Sequence, residues 1–186
     1  MNFLIFDKKL SSSKLIDTIL ADFRHVTLIT CNEASLTIPS SSSQLLLVKQ
    51  VDISDANQAI QSLSKHENDP FDAILIFNPS LYSNFHNILE TIKRLKPQPP
   101  HLFLFFIDQQ HQFDENTNKR LKEISKFISW TIVICNEINS SATTKYQVQT
   151  KSNPNNQQPI APTAVFDFVC DVIKTKKYLH ETIYIY

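Results

Sequence analysis

Between an apolar run, Asn2 to Phe6, and a stretch of helical spacing that begins near Lys14, the chain reads Asp7-Lys8-Lys9-Leu10-Ser11-Ser12-Ser13-Lys14. The hydroxyls of Ser11, Ser12 and Ser13 and the ammonium groups of Lys8, Lys9 and Lys14 stand where a helix begins. The first turn of a helix has amide N–H groups without intrahelical partners, and the helix dipole adds partial positive charge there, so such a terminus attracts an anion. The segment reads either as an altered anion cradle or as a solvated polar turn. One of its residues works against an anion, because Asp7 brings a carboxylate.

Other chemistry-bearing residues are dispersed. His25, His66, His86, His101, His111 and His180 form no pair at helical ligand spacing and no cluster with carboxylates, which argues against a metal site. Cys31, Cys135 and Cys170 are odd in number and lack the close spacings of zinc or redox motifs. They read as buried or inert thiols. Cys135 stands beside Asn136 at the end of an apolar run, where a nucleophile could lie, but no local motif ties a histidine to it.

The elements that would position these residues follow from apolar patterning. Asn2 to Phe6, Val26 to Thr30, Leu45 to Lys49, Ala73 to Phe77, Leu102 to Ile107 and Thr131 to Ile134 are short, nearly continuous apolar runs, the mark of strands covered on both faces. Between them, Leu15, Ile16, Ile19, Leu20 and Phe23 make one helical stripe. Leu81, Phe85, Ile88, Leu89, Ile92 and Leu95 make a second, and Leu121, Ile124, Phe127 and Ile128 a third. A weaker helix is expected from Ser54 to about Ser64, and a last one opens at Pro162, a residue suited to a first helical turn. Lys145 to Gln158 reads as a surface loop or short strand, Ser40 to Ser43 as a polar tract, and Tyr184-Ile185-Tyr186 as a final strand or contact surface. Alternating strand and helix predict an α/β fold: a doubly wound, mostly parallel sheet in the order 3-2-1-4-5-6, with helices on both faces in three layers.

Bulk properties narrow the partners. The 186 residues suit one domain, residues 1–186. Eighteen Lys and Arg balance eighteen Asp and Glu, so no long-range field draws nucleic acid or an anionic membrane surface. No apolar run approaches the roughly 20 residues that span a bilayer, and Met1 to Lys9 shows no leader pattern. A cytoplasmic protein is expected.

In the order and spacing of NFLIF, KLIDTILADF, HVTLIT, VKQVDISD, FDAILIFNP, SWTIVICNEI and the tail from QQPIAPTAVFDFVCDVIKT to Tyr186, the chain resembles the NmrA-like, or atypical short-chain dehydrogenase/reductase, family of NAD(P)-binding Rossmann proteins over nearly its whole length. The resemblance implies a dinucleotide as partner, with NAD or NADP as cofactor if one is bound. It puts the phosphate loop at Lys8 to Ser13 and a contact to the adenine ring at Asp52 and Ile53, although Asp52 equally reads as a strand-end cap. It puts the position that often discriminates NADP at Cys31 and Asn32, where the family's arginine is missing. Phe77 and Asn78 fall where the family's chain passes beneath the nicotinamide ribose, or simply form, with Pro79, a turn before a helix. Glu123 and the Ser129-Trp130-Thr131 run match the family pattern and are expected to pack their helix and strand.

The departures from that pattern are specific. Glycine is absent from all 186 residues, where average usage predicts roughly a dozen. Asp7, Leu10 and Ser13 stand at the three family glycines, so the resemblance implies cofactor binding that is weakened or lost. The Ser, Tyr and Lys arrangement of full-type reductases is also missing, because the helix carrying Lys119, Lys122 and Lys126 has no tyrosine; no catalytic residue is assigned. A second reading follows: a glycine-free version of such a protein, engineered or selected to test fold stability and without catalytic activity. Where positive φ is required, asparagine is the readiest substitute, and some of Asn32, Asn78, Asn136, Asn139, Asn153, Asn155 and Asn156 are expected there.

Overall fold

An extended chain sends successive side chains to opposite faces, so a run apolar at every position demands cover on both sides. β1 (Asn2–Phe6) shows this directly. Phe3 and Ile5 enter one core and Leu4 and Phe6 the other, all four fully buried. The computed structural model of the protein describes residues 1–7, 12–22, 24–30, 46–50, 63, 70–79, 85–95, 101–107, 115–151 and 158–186.

Along the chain β1 is followed by α1 (Ser13–Ala21), β2 (His25–Thr30), β3 (Leu46–Gln50), β4 (Ala73–Phe77), α2 (Phe85–Arg94), β5 (His101–Ile107) and α3 (Glu115–Ile124). Then come β6 (Ser129–Cys135), β7 (Ile138–Thr143), β8 (Val148–Gln149), α4 (Pro162–Thr175) and β9 (Glu181–Ile185). Among the described residues, eight strands form one sheet in the order β3-β2-β1-β4-β5-β6-β9-β8. The first six positions reproduce the expected order. Every pairing is parallel except that of β8 with β9. The chain leaves the centre after β1, returns as β4 and then builds in the other direction, so the reversal of strand order falls between β1 and β4. This α/β architecture, with helices on both faces, is a doubly wound Rossmann-like fold.

The helices divide between the faces as their stripes require. Leu15, Ile16, Ile19 and Leu20 of α1 share a core with Val165, Phe168, Val169 and Val172 of α4. On the other face Ile88, Leu89 and Ile92 of α2 pack with Leu121 and Ile124 of α3. Aromatic pairs tie the layers together: Phe77 stacks on Phe105 across β4 and β5 with ring centroids 4.9 Å apart, and Phe166 meets Phe3 edge-on at 6.1 Å. Burial of such a phenylalanine contributes about 1.5–3 kcal/mol of hydrophobic free energy.

Some expectations are corrected. α3 ends at Ile124, and Phe127, placed on its buried stripe by spacing, is 49% exposed, because the chain has turned out of the helix by then. Glu123 is exposed and does not pack the helix, whereas Thr131 is fully buried. β5 and β6 begin earlier than their apolar runs, at His101 and Ser129, because strand pairing continues across polar residues that find partners. The tail forms β9, and the polar stretch before α4 contains β8. The expected helix from Ser54 to Ser64 lies outside the described residues except for Leu63, which is helical and buried. Ser40 to Ser43 also lies outside them. No helix among the described residues is long and apolar enough to cross a membrane.

With no glycine available, positive φ among the described residues falls on Asn78 (47°), Lys176 (55°), Tyr178 (58°) and His180 (61°). Asparagine supplies one of the four. Asn136 and Asn139 do not take this conformation, and Asn32, Asn153, Asn155 and Asn156 lie outside the described residues. Lys176 closes α4 in the left-handed conformation, its N–H donating to the Val172 carbonyl at 2.9 Å. A side chain there costs about 1–2 kcal/mol. Lys176→Gly is therefore expected to stabilise the protein by about 1 kcal/mol, after allowing for the extra freedom glycine gives the unfolded chain. A denaturant titration with a higher midpoint and an unchanged slope is the expected result; a lower midpoint would show that the lysine side chain matters more than the backbone strain.

Candidate functional site

A parallel sheet brings the carboxyl ends of its strands to one edge, and a ligand crevice opens where the strand order reverses. At that edge the strands end in Phe6-Asp7 (β1), Thr30 (β2), Phe77-Asn78 (β4), Ile107 (β5) and Cys135 (β6). β1 and β4 are adjacent, so Asp7 and Asn78 flank the reversal.

Asp7 extends the ladder of β1, its N–H donating to the Ile29 carbonyl at 3.1 Å. Its side chain then turns toward α1. The Ser12 N–H donates to Asp7 Oδ2 at 2.6 Å, with both residues 1% exposed. Ser12 is the N-cap of α1 and its carbonyl accepts the first helical bond, from Ile16 at 2.9 Å. Serine at such a position usually caps with its own hydroxyl. Here the hydroxyl makes no capping bond and is buried without a hydrogen-bond partner. The Asp7 carboxylate instead accepts the N–H of the N-cap residue itself, placing an internal carboxylate at the helix amino terminus, where an anion is favoured by the free amides and the dipole.

On the opposite side of the reversal, Asn78 is 9% exposed and joins β4 to β5 at their carboxyl ends. Its N–H donates to the Phe105 carbonyl at 2.7 Å, and its Oδ1 accepts the Ile107 N–H at 3.0 Å. The left-handed backbone of Asn78 lets main chain and side chain face β5 together. Phe77 points into the core against Phe105, so of this pair only Asn78 lies at the edge in the role of a turn.

Of the residues singled out from sequence, the structure thus brings Ser12, Ser13 and Asn78 to the carboxyl edge with Asp7, and buries Phe77 beneath it. Lys8, Lys9, Leu10, Ser11, Cys31, Asn32, Asp52 and Ile53 lie outside the described residues. The cysteines behave as buried groups: burial pushes the Cys135 thiol up to about 12, and burial, opposed in part by Arg24, pushes half-buried Cys170 up to about 11. Neither is a thiolate near neutrality. Among the described residues no three His, Cys, Asp or Glu side chains gather as a metal site.

Sequence reasoning missed two contacts. Tyr146 donates its hydroxyl hydrogen bond to the Asp171 carboxylate and packs edge-on against Phe168 at 5.5 Å; burial, then Asp171, hold its proton well above the usual phenol range. Asp7 was expected to repel a phosphate, not to cap a helix. Its signal was available as an Asp at a strand's end five residues before a helix N-cap, a spacing that lets an acceptor reach the first turn.

No protein-family model matches the sequence, and no curated protein matches it. Solved structures do. The chain is similar to a Rossmann-fold NAD(P)-binding family protein from Shigella flexneri (TM-score 0.71, 14% identity, covering 100% of this chain and 92% of that one). It is also similar to a short-chain dehydrogenase/reductase from Veillonella parvula (TM-score 0.67, 10% identity, 99% and 93% covered) and to the anaerobillin reductase ChuY of Escherichia coli O157:H7 (TM-score 0.64, 12% identity, 100% and 96% covered). At such identities the likeness establishes the Rossmann-like fold.

The Asn78 contacts generate a graded expectation. Asn78→Ala loses the acceptor for the Ile107 N–H and leaves a Cβ-bearing residue at positive φ without a compensating bond, a loss of about 2 kcal/mol. Asn78→Gly loses the acceptor but relieves the backbone, so its loss should be smaller, about 1 kcal/mol. Chemical denaturation of the two variants beside the parent tests the ranking, and equal losses would show that the backbone angle is unstrained.

Proposed function

We propose that the chain is a single-domain dinucleotide-fold protein of the NmrA-like, atypical short-chain dehydrogenase/reductase type whose diphosphate position has been taken by its own Asp7 carboxylate. On this reading NAD and NADP bind weakly or not at all, and the protein serves as a binding or regulatory scaffold of reductase ancestry. The observation that carries it is the 2.6 Å bond from the Ser12 N–H to Asp7 Oδ2. A cofactor phosphate would have to displace a carboxylate that is already bonded to the helix start, and would then meet that carboxylate's charge in a partly desolvated crevice. The lack of tyrosine in α3 supports the same reading, since it leaves no phenol at the place where the resemblance would put the proton donor.

A second reading is favoured by a separate observation. The chain has no glycine, and three residues other than asparagine hold left-handed angles in the five residues Lys176 to His180. A glycine-free version of a parent Rossmann protein, engineered or selected for its fold, accounts for both. It shares with the first reading a loss of cofactor affinity, and differs in attributing that loss to all three replaced glycines together with no remaining function.

Calorimetric titration of NADH and NADPH separates the possibilities. The parent chain is expected to give no binding heat up to about 1 mM ligand. Asp7→Gly alone should gain measurable affinity if the carboxylate is the principal block, whereas on the second reading affinity should return only in D7G/L10G/S13G. Submillimolar binding by the parent would overturn both readings, and an inert triple variant would show that the crevice was never a dinucleotide site.

A further inference from the structure

The amino edge of the sheet, opposite the crevice, holds the one fully buried histidine among the described residues. His101 opens β5, with its ring 4.4 Å from that of Phe103, and Thr131 lies beside it on β6. Their polar atoms form a chain with a determined direction. The Thr131 hydroxyl donates to the Tyr178 carbonyl at 2.7 Å. Having a single proton, it must accept from His101 Nε2, which is 2.9 Å away. The neutral ring therefore carries its proton on Nε2 and leaves Nδ1 bare, and Nδ1 is buried with no hydrogen-bond partner.

The far end of the chain is a turn in tension. Lys176, Tyr178 and His180 all have left-handed backbone without being glycine, so the turn persists only because surrounding bonds over-determine it. Those bonds are few: Thr131 to the Tyr178 carbonyl, the His180 N–H to the Trp130 carbonyl at 2.6 Å, and the Lys176 cap on α4. Directly after the turn comes β9, which pairs with β6 from Thr131↔Glu181 to Ile134↔Tyr184. His101 thus reaches, through one hydroxyl, the segment that delivers the last parallel strand to the sheet.

We propose that His101, Thr131 and the Tyr178 carbonyl form an acid-sensitive latch: the neutral imidazole holds the 176–180 turn, and with it β9, against β6, and protonation of His101 releases that strand ahead of the rest of the sheet. A second proton on the ring would sit on Nδ1, where no acceptor receives it. The groups that bear on the ring electrostatically are Lys176 and His180, from the turn itself, and both disfavour a cation there. Glu181, at the start of β9, is exposed. To become charged the ring must leave its place on Phe103 for water, which breaks its bond to Thr131. Burial, followed by Lys176 and His180, lowers the imidazole from its ordinary value of 6.5 to about 4. Because the native value is depressed, the unfolded or released form takes up the proton first. The latch is therefore at full strength above about pH 6.5 and weakens as pH falls toward about 4, at up to tenfold in its closing constant per pH unit.

Trp130, the chain's single tryptophan, lies 5.4 Å from the His180 ring and reports on the turn. The experiment follows Trp130 emission, far-UV circular dichroism and amide-exchange protection factors of the full chain from about pH 7 to about pH 4. Protection at Ile183 and Tyr184 is expected to fall at least about tenfold more than at Leu4 and Ile5, with a Trp130 shift that precedes loss of circular dichroism. His101→Gln keeps a side-chain N–H donor but cannot titrate, and should abolish this early transition; His180→Gln should retain it. Simultaneous loss of protection in β1 and β9 would overturn the proposal, as would an unchanged transition in His101→Gln or its disappearance in His180→Gln. If His101→Gln does not fold, nitrogen chemical shifts of the parent's His101 ring decide instead. A ring still neutral and protonated on Nε2 in released molecules, after Trp130 has shifted, would rule the latch out.

Discussion

Burial of both faces of a parallel sheet is the constraint on which the rest of this structure depends. Because alternate residues of β1, β4 and β5 go to different cores, shifting any strand by one residue would exchange the two sets, sending side chains shaped for the α1 and α4 layer into the α2 and α3 layer. Register is thereby held along the whole sheet. It is this registration that brings Asp7 and Asn78 to one end and His101 and Thr131 to the other, four buried polar residues at the margins of an apolar core.

A second constraint acts on the connections. Parallel strands require the chain to leave one edge, cross a face and return, and tight departures commonly use left-handed residues. With side chains at every position, the described residues meet that need with asparagine at one turn and with lysine, tyrosine and histidine at another. The two solutions differ physically. Asn78 secures its backbone with its own side chain, bonded to the neighbouring strand, whereas the 176–180 turn relies on bonds from Thr131 and Trp130 outside it. In the first turn the residue at positive φ itself makes the bonds to β5 that hold it. The second is conditional on packing from β5 and β6, which is why a buried histidine can bear on it.

The crevice at the strand-order reversal shows the same economy. A helix start that lacks a hydroxyl cap and a strand end that carries a carboxylate meet through a short bond. The free amide that makes this fold receptive to phosphates is engaged internally. The architecture itself rests on the apolar strands and not on this turn.

Much of this was legible in the amino-acid sequence because continuous apolar runs have few solutions. Asn2 to Phe6, Ala73 to Phe77 and Leu102 to Ile107 could be assigned as doubly covered strands, and Pro162 marked the start of α4, from local information alone. Phe127 misled because helical spacing continues on paper past the point where the chain turns. The capping role of Asp7 was open to inference from its distance to Ser12, but its direction was not, since the same carboxylate could have faced the crevice. The left-handed angles of Lys176, Tyr178 and His180 had no local signal, because none of these residues is chosen for that conformation by its own energetics.

The sequence by itself determined the alternation of strand and helix, the parallel class of the sheet and the absence of glycine from the turn after β1. These depend on side-chain type and period, which local hydrophobic and steric energies decide. Only the tertiary structure decided that Asp7 engages α1, that β9 extends the sheet beyond β6, and that His101 meets Thr131, which in turn meets the Tyr178 carbonyl. Apart from the Asp7 bond, those pairings join residues 30 to 50 positions apart, and they come into being only when burial on two faces has brought distant strands into register.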